Sequence, residues 1–120
     1  MERAASAGLL DDRAFTKLWI DDRLLNKPLS RRAIREELLH LGIEATLVRE
    51  LLDQQYPADR EPLLALDLAR QRLRRTTTDA VRQMERVTAY LIRRGFDRGT
   101  ALRAVRAAAD GMEEETTDAA

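Results

Sequence analysis

Residues 30–43 read SRRAIREELLHLGI, and 53 positions later residues 83–96 read QMERVTAYLIRRGF. Each run places apolar residues at helical spacing, Ile34, Leu38 and Leu39 in the first and Val87, Leu91 and Ile92 in the second, which predicts one buried stripe on each helix. Each then stops at a Gly followed by a bulky apolar residue, Gly42-Ile43 and Gly95-Phe96. A glycine just past a helix end can take the left-handed conformation, and the residue after it folds back onto the last turn. This predicts that Ile43 meets Leu38 and that Phe96 meets Leu91.

The same offset carries outward. Val48, Leu51 and Leu52 align with Ala101, Ala104 and Val105, while Phe15 and Ile20 align with Leu68 and Leu73. Strand signals are nearly absent, since no stretch alternates apolar and polar residues for long. The expectation is an all-α chain with helices near 10–25, 30–41, 45–55, 61–75, 79–94 and 97–109. They form two three-helix repeats of the helix-turn-helix kind, each too small to bury its apolar faces generously alone. Pro28 and Ser30 part the first two helices, Tyr56-Pro57 and Pro62 bracket the middle linker, and Thr76-Thr77-Thr78-Asp79 supplies cap-prone residues. The organisation read from this is a short extension over 1–7, repeats over 8–56 and 61–109, and an acidic flexible tail over 110–120.

Composition narrows the function. A chain of 120 residues with 44% hydrophobic and 35% charged residues folds, but holds one compact domain or two small modules. It has no Cys, so disulfides, thiolate zinc sites and thiol nucleophiles are excluded, and a cytoplasmic location is expected. Neither a long apolar span nor a signal peptide is indicated. The formal net charge is zero, but Lys+Arg against Asp+Glu runs 10 to 11 over residues 1–60, 11 to 6 over 61–111 and 0 to 4 over 112–120. Every Lys or Arg after Lys27 is Arg, a planar fork of donors suited to phosphate or carboxylate; high-GC coding bias is the plain alternative.

Candidate chemistry falls away on inspection. His40 is the one histidine, read as a solvated residue near a helix C-terminus. The pairs Asp11-Asp12 and Asp21-Asp22 are adjacent on a helix and so point about 100° apart; the first suits a helix start and the second solvent or ion pairs. Phe15 and Trp19, four apart, read as core. No phosphate loop, dinucleotide fingerprint, nucleophile elbow or zinc-helix motif is present. The chain is therefore read as a non-enzyme, with no catalytic residue, metal, cofactor or small-molecule substrate expected. What remains is arginine: Arg31, Arg32 and Arg35, then Arg70, Arg72, Arg74 and Arg75, then Arg93 and Arg94. Arg31 and Arg35 share a helix face, as do Arg70 and Arg74, so short basic ridges can follow phosphates or meet an acidic protein surface. The plainer reading is a solvated face paired with Glu36, Glu37 and Asp67.

The order GLLDDRAFTKLWIDDR at 8–23, LSRRAIREELLHLGI at 29–43, LARQRLRR at 68–75 and YLIRRGF at 90–96 resembles the RecX family of bacterial recombination regulators, across about residues 8–109. The resemblance implies an elongated tandem array of three-helix repeats that binds RecA. It would lie in the helical groove of the RecA–DNA filament and inhibit RecA ATPase, strand-exchange and co-protease activities. Arg31, Arg32, Arg70, Arg74, Arg93 and Arg94 fall in the matching segments and are the first candidates for that contact. The resemblance also implies a further helical repeat ahead of GLLDD, which here begins at residue 8. The neutral total and the acidic end EEETTDAA allow at most a weak single-stranded DNA contact. The competing expectations are a nucleic-acid-binding helical module that touches phosphates through Arg ridges, and a passive helical scaffold.

Overall fold

The computed structural model describes residues 8–73 and 79–119. Six α-helices and no strand occur among them: α1 (Gly8–Asn26), α2 (Arg31–His40), α3 (Ala45–Gln55), α4 (Arg60–Arg72), α5 (Ala80–Arg93) and α6 (Arg98–Ala119). The chain divides into two compact units between Glu61 and Pro62, inside the first turn of α4. Thr76-Thr77-Thr78 lies outside the described residues.

In unit 1, α1 and α2 both pack against α3. Ile20, Ile34, Leu38, Val48 and Leu51 are fully buried there, each contributing about 1.5–3 kcal/mol relative to exposure. Ser30 caps α2, its Oγ accepting from the Ala33 N–H at 3.0 Å. Tyr56 ends α3 with its ring fully buried and its hydroxyl donating to the Leu29 carbonyl at 2.9 Å, which ties the close of α3 to the segment before α2. Burial pushes the Tyr56 phenol well above its ordinary range.

In unit 2, α5 packs on α6, and Leu68 and Ala69 of α4, with Leu73 just after it, share a core with Val87, Leu91, Phe96, Ala101 and Val105. Asp79 caps α5 by accepting from the Arg82 N–H at 3.0 Å. Asp97 does the same for α6, accepting from the Thr100 N–H at 2.8 Å.

Both glycine endings form as expected. Gly42 has φ 92° and Gly95 φ 98°. The Ile43 N–H donates to the Leu38 carbonyl at 3.0 Å and the Gly42 N–H to Leu39 at 3.0 Å; the Phe96 and Gly95 N–H groups repeat this to Leu91 and Ile92 at 3.1 and 2.9 Å. These are the paired bonds of a Schellman ending, and Ile43, Leu38, Phe96 and Leu91 are all buried.

Three details depart from the sequence reading. Leu39 and Ile92 are 39% and 40% exposed, because each lies one residue, about 100°, past the centre of its stripe at Leu38 or Leu91. Phe15 and Trp19 are half-buried rather than core: the indole N–H needs an acceptor, and finds Glu37 Oε1 at 2.9 Å on the margin between α1 and α2. And α6 runs to Ala119 rather than ending at 109; residues 107–115 are mostly strong helix formers, and Gly111 sits in open space.

Candidate functional site

The nine arginines singled out by sequence fall into different environments. Arg31 opens α2 and is drawn into unit 1. Its backbone N–H donates to Glu61 Oε2 at 2.7 Å, its Nε to the Tyr56 carbonyl at 2.7 Å, and its terminal nitrogen to Asp53 at 2.5 Å. The side chain is only 25% exposed. Arg31 thus clasps the start of α2 to the end of α3. The next residue, Arg32, is exposed and pairs loosely with Glu36 at 3.4 Å, and Arg35 is exposed on the same helix.

In unit 2, Arg70, Arg72 and Arg93 are exposed and Arg94 is half-buried. Arg74 and Arg75 lie outside the described residues. The Arg72 guanidinium lies 3.7 Å from the Tyr90 ring centroid and that of Arg94 5.1 Å from it. Around this ring opens a cleft of about 390 Å³, lined by Arg72, Gln83, Arg86, Val87, Tyr90 and Arg93 among others, with no carboxylate in its wall. Three guanidiniums from two helices therefore face one space, with a ring holding one of them in place.

Sequence reasoning passed over Arg86, Gln83 and Tyr90. The signal was present as spacing: Gln83, Arg86, Tyr90 and Arg93 follow one another at +3, +4 and +3 on α5, which puts them on one face. Arg93-Arg94, read as a cluster because adjacent, differ in setting: Arg93 is exposed and lines the cleft, while Arg94 is half-buried with its guanidinium 5.1 Å from the Tyr90 ring centroid.

The remaining polar residues are structural. His40 is exposed in the last turn of α2. Asp11 sits in the first turn of α1; Asp22 pairs with Arg23 at 3.1 Å and Asp21 accepts from Gln55 at 2.6 Å. Arg23 also bonds Glu37 at 2.9 Å and lies 4.4 Å from the Trp19 ring centroid. On the surface of unit 1 the Arg13 guanidinium holds the Glu50 carboxyl below its usual range. Among the described residues no group of three His, Asp or Glu side chains is placed to hold a metal ion, and no helix is long and apolar enough to cross a membrane.

A family model described as RecX, second three-helix domain, matches residues 11–52, which lie within α1 to α3. A protein named Regulatory protein RecX from Streptomyces coelicolor is 35% identical over 119 residues, covering 98% of this chain and 61% of its own length. Its namesake from Thermobifida fusca is 34% identical over 116 residues, 94% of this chain and 62% of the relative. That from Mycobacterium leprae is 37% identical over 103 residues, 83% and 59%. The chain spans about three fifths of the length of the curated relatives it matches. No solved structure matches it.

Proposed function

The chain belongs to the RecX family, and from that premise we propose that it is a cytoplasmic regulatory protein that binds the RecA–DNA filament in its helical groove. There it holds back RecA ATPase, strand exchange and co-protease activity without doing chemistry of its own. The observation that carries this reading is the carboxylate-free cleft of Arg72, Arg86 and Arg93 around Tyr90. An arginine resting on an aromatic face keeps its outer N–H groups directed to solvent and loses less freedom when an acceptor arrives. Acidic side chains and backbone carbonyls of a protein groove are such acceptors. Arg32, Arg35 and Arg70 are exposed and extend the same chemistry, each unit offering one more contact to a repeating partner. Arg31, bonded on three sides within unit 1, serves by holding α2 and α3 in register.

A phosphate-binding helical module is the second reading, because the same cleft accepts a phosphodiester. Fluorescence anisotropy on labelled single-stranded DNA, bare and coated with RecA, separates the two across a salt series. The RecA reading predicts tighter binding to coated than to bare strands at every salt concentration. Equal or tighter binding to bare strands, falling steeply as salt rises, supports the phosphate reading instead.

A further inference from the structure

The α5–α6 pair carries a second surface that the arginine chemistry does not use. Val81, Met84, Ala89, Ile92 and Leu102 help to line a groove of about 490 Å³ between the two helices. Three of them are large apolar side chains left open to solvent: Val81 is 68% exposed, Ile92 40% and Leu102 38%. Such a grouping on a small unit marks an interaction surface rather than scattered surface apolarity.

The fold itself does not demand it, and unit 1 supplies the control. At the offset of 53, the groove residues Met84, Ala89, Leu102 and Arg106 correspond to Arg31, Glu36, Arg49 and Asp53. In unit 1 Leu39, the counterpart of Ile92, is likewise exposed, but charged residues take these four positions, and the Arg31–Asp53 ion pair bridges the face from α2 to α3. In unit 2 Met84 and Arg106 replace the bridging pair, so that ion pair is lost where the groove opens between the helices. The buried positions of the two units meanwhile keep their apolar character, Leu38 answering to Leu91 and Leu52 to Val105. The change is confined to the outward face.

The charges at the rim state what fits. Arg98 and Arg106 stand on the α6 wall, and Glu85 on the α5 wall. We infer that the α5–α6 groove is a docking site for an amphipathic helix of a partner protein, one whose apolar stripe at i, i+3 or i+4 and i+7 is edged by carboxylates. The stripe fills the space over Met84, Ile92 and Leu102, and the carboxylates meet Arg98 and Arg106. Glu85 fixes the direction, since it repels an acidic residue on the opposite edge. Apolar burial supplies affinity and the two arginines supply selectivity.

The test uses three synthetic 18-residue helical peptides and the full chain, and contains no RecA, so its outcome is independent of the filament reading. One peptide has a leucine stripe edged by Glu, the second the same stripe edged by Lys, and the third the Glu edges with the leucines changed to Ser. Titration followed by amide NMR is expected to shift Thr88, Ala89, Ile92 and Leu102, with the Glu-edged peptide binding at least tenfold tighter than either other. Ile92→Asp, at an exposed position, is expected to weaken that binding at least tenfold with helix content unchanged by circular dichroism. The double variant R98E/R106E is expected to reverse the preference toward the Lys-edged peptide. Equal binding of Glu- and Lys-edged peptides, shifts that map elsewhere, or binding that survives Ile92→Asp would each overturn the inference. So would sedimentation showing the groove closed by a second copy that no peptide displaces.

Discussion

The Arg72 guanidinium lies 3.7 Å from the centroid of the Tyr90 ring, a contact between α4 and α5 that joins the core of unit 2 to its basic cleft. Tyr90 is buried to 9% exposure, so its ring face is a fixed platform. Replacing it by Leu keeps the apolar filling and removes the quadrupole. Tyr90→Leu is expected to leave the fold intact and weaken filament binding by roughly 2- to 30-fold, the span of a cation–π contact worth about 0.5–2 kcal/mol. R86A/R93A is expected to weaken it further, again without loss of helix content. Anisotropy on RecA-coated DNA with thermal melts alongside reads both quantities.

Arg31 predicts the opposite pattern. With its guanidinium on the Tyr56 carbonyl and Asp53, Arg31→Ala leaves a half-buried carbonyl without its donor and is expected to cost about 1–3 kcal/mol of stability. Arg31→Lys recovers only part, since an ammonium cannot serve both acceptors through the fork geometry. Denaturant unfolding of the two variants checks this. A variant as stable as the parent but deficient in filament binding would show that Arg31 faces the partner after all.

A Cβ built on Gly42 meets nothing within 4 Å, yet its φ is 92°. The cost of Gly42→Ala is therefore conformational, not steric, and is expected at about 1–2 kcal/mol. Gly42→Asn should cost less, since Asn visits the left-handed region more readily. Urea unfolding midpoints with an unchanged slope give the measurement.

Asp97 and Tyr56 contribute to opposite ends of the pH profile. The Thr100 backbone N–H bonded to Asp97 holds its carboxyl below the ordinary value. Its stabilising contribution is thus fully present above the unfolded pKa of about 3.9 and is lost as pH falls through the lower folded value. Burial raises the Tyr56 phenol, so the stability of its neutral form is complete below about 10 and is lost as pH rises beyond it. Asp97→Asn keeps the cap and should flatten the acid limb, while Asp97→Ala should cost about 0.5–2 kcal/mol. Tyr56→Phe should flatten the alkaline limb and cost about 1 kcal/mol for the unmet Leu29 carbonyl. Unfolding free energies from pH 3 to pH 11 test each arm.

Much of the fold was legible in the sequence because local rules decide it. A glycine with φ above 90° at Gly42 and Gly95 leaves its mark as a composition signal, and Ser30 and Asp79 stand where a cap must. The offset of 53 even matches Thr16 to Ala69, both fully buried. What stayed hidden is set by packing between elements. Tyr56 reads as linker punctuation beside Pro57, yet it is among the largest fully buried side chains, because its burial depends on where Leu29 comes to rest. Arg31 reads as one base of a ridge, yet the chain end of α3 claims it. Arg86 and Tyr90 have no adjacent base to draw attention, and become a site only when α4 brings Arg72 across. Proximity in space, not along the chain, separates the structural arginines from the available ones.

The central claim is tested most directly by RecA ATP hydrolysis on single-stranded DNA, with this protein added after the filaments have formed. The account predicts a dose-dependent fall in rate for the parent chain and a smaller fall for R86A/R93A at the same concentration. An unchanged rate at several-fold excess over RecA would contradict it.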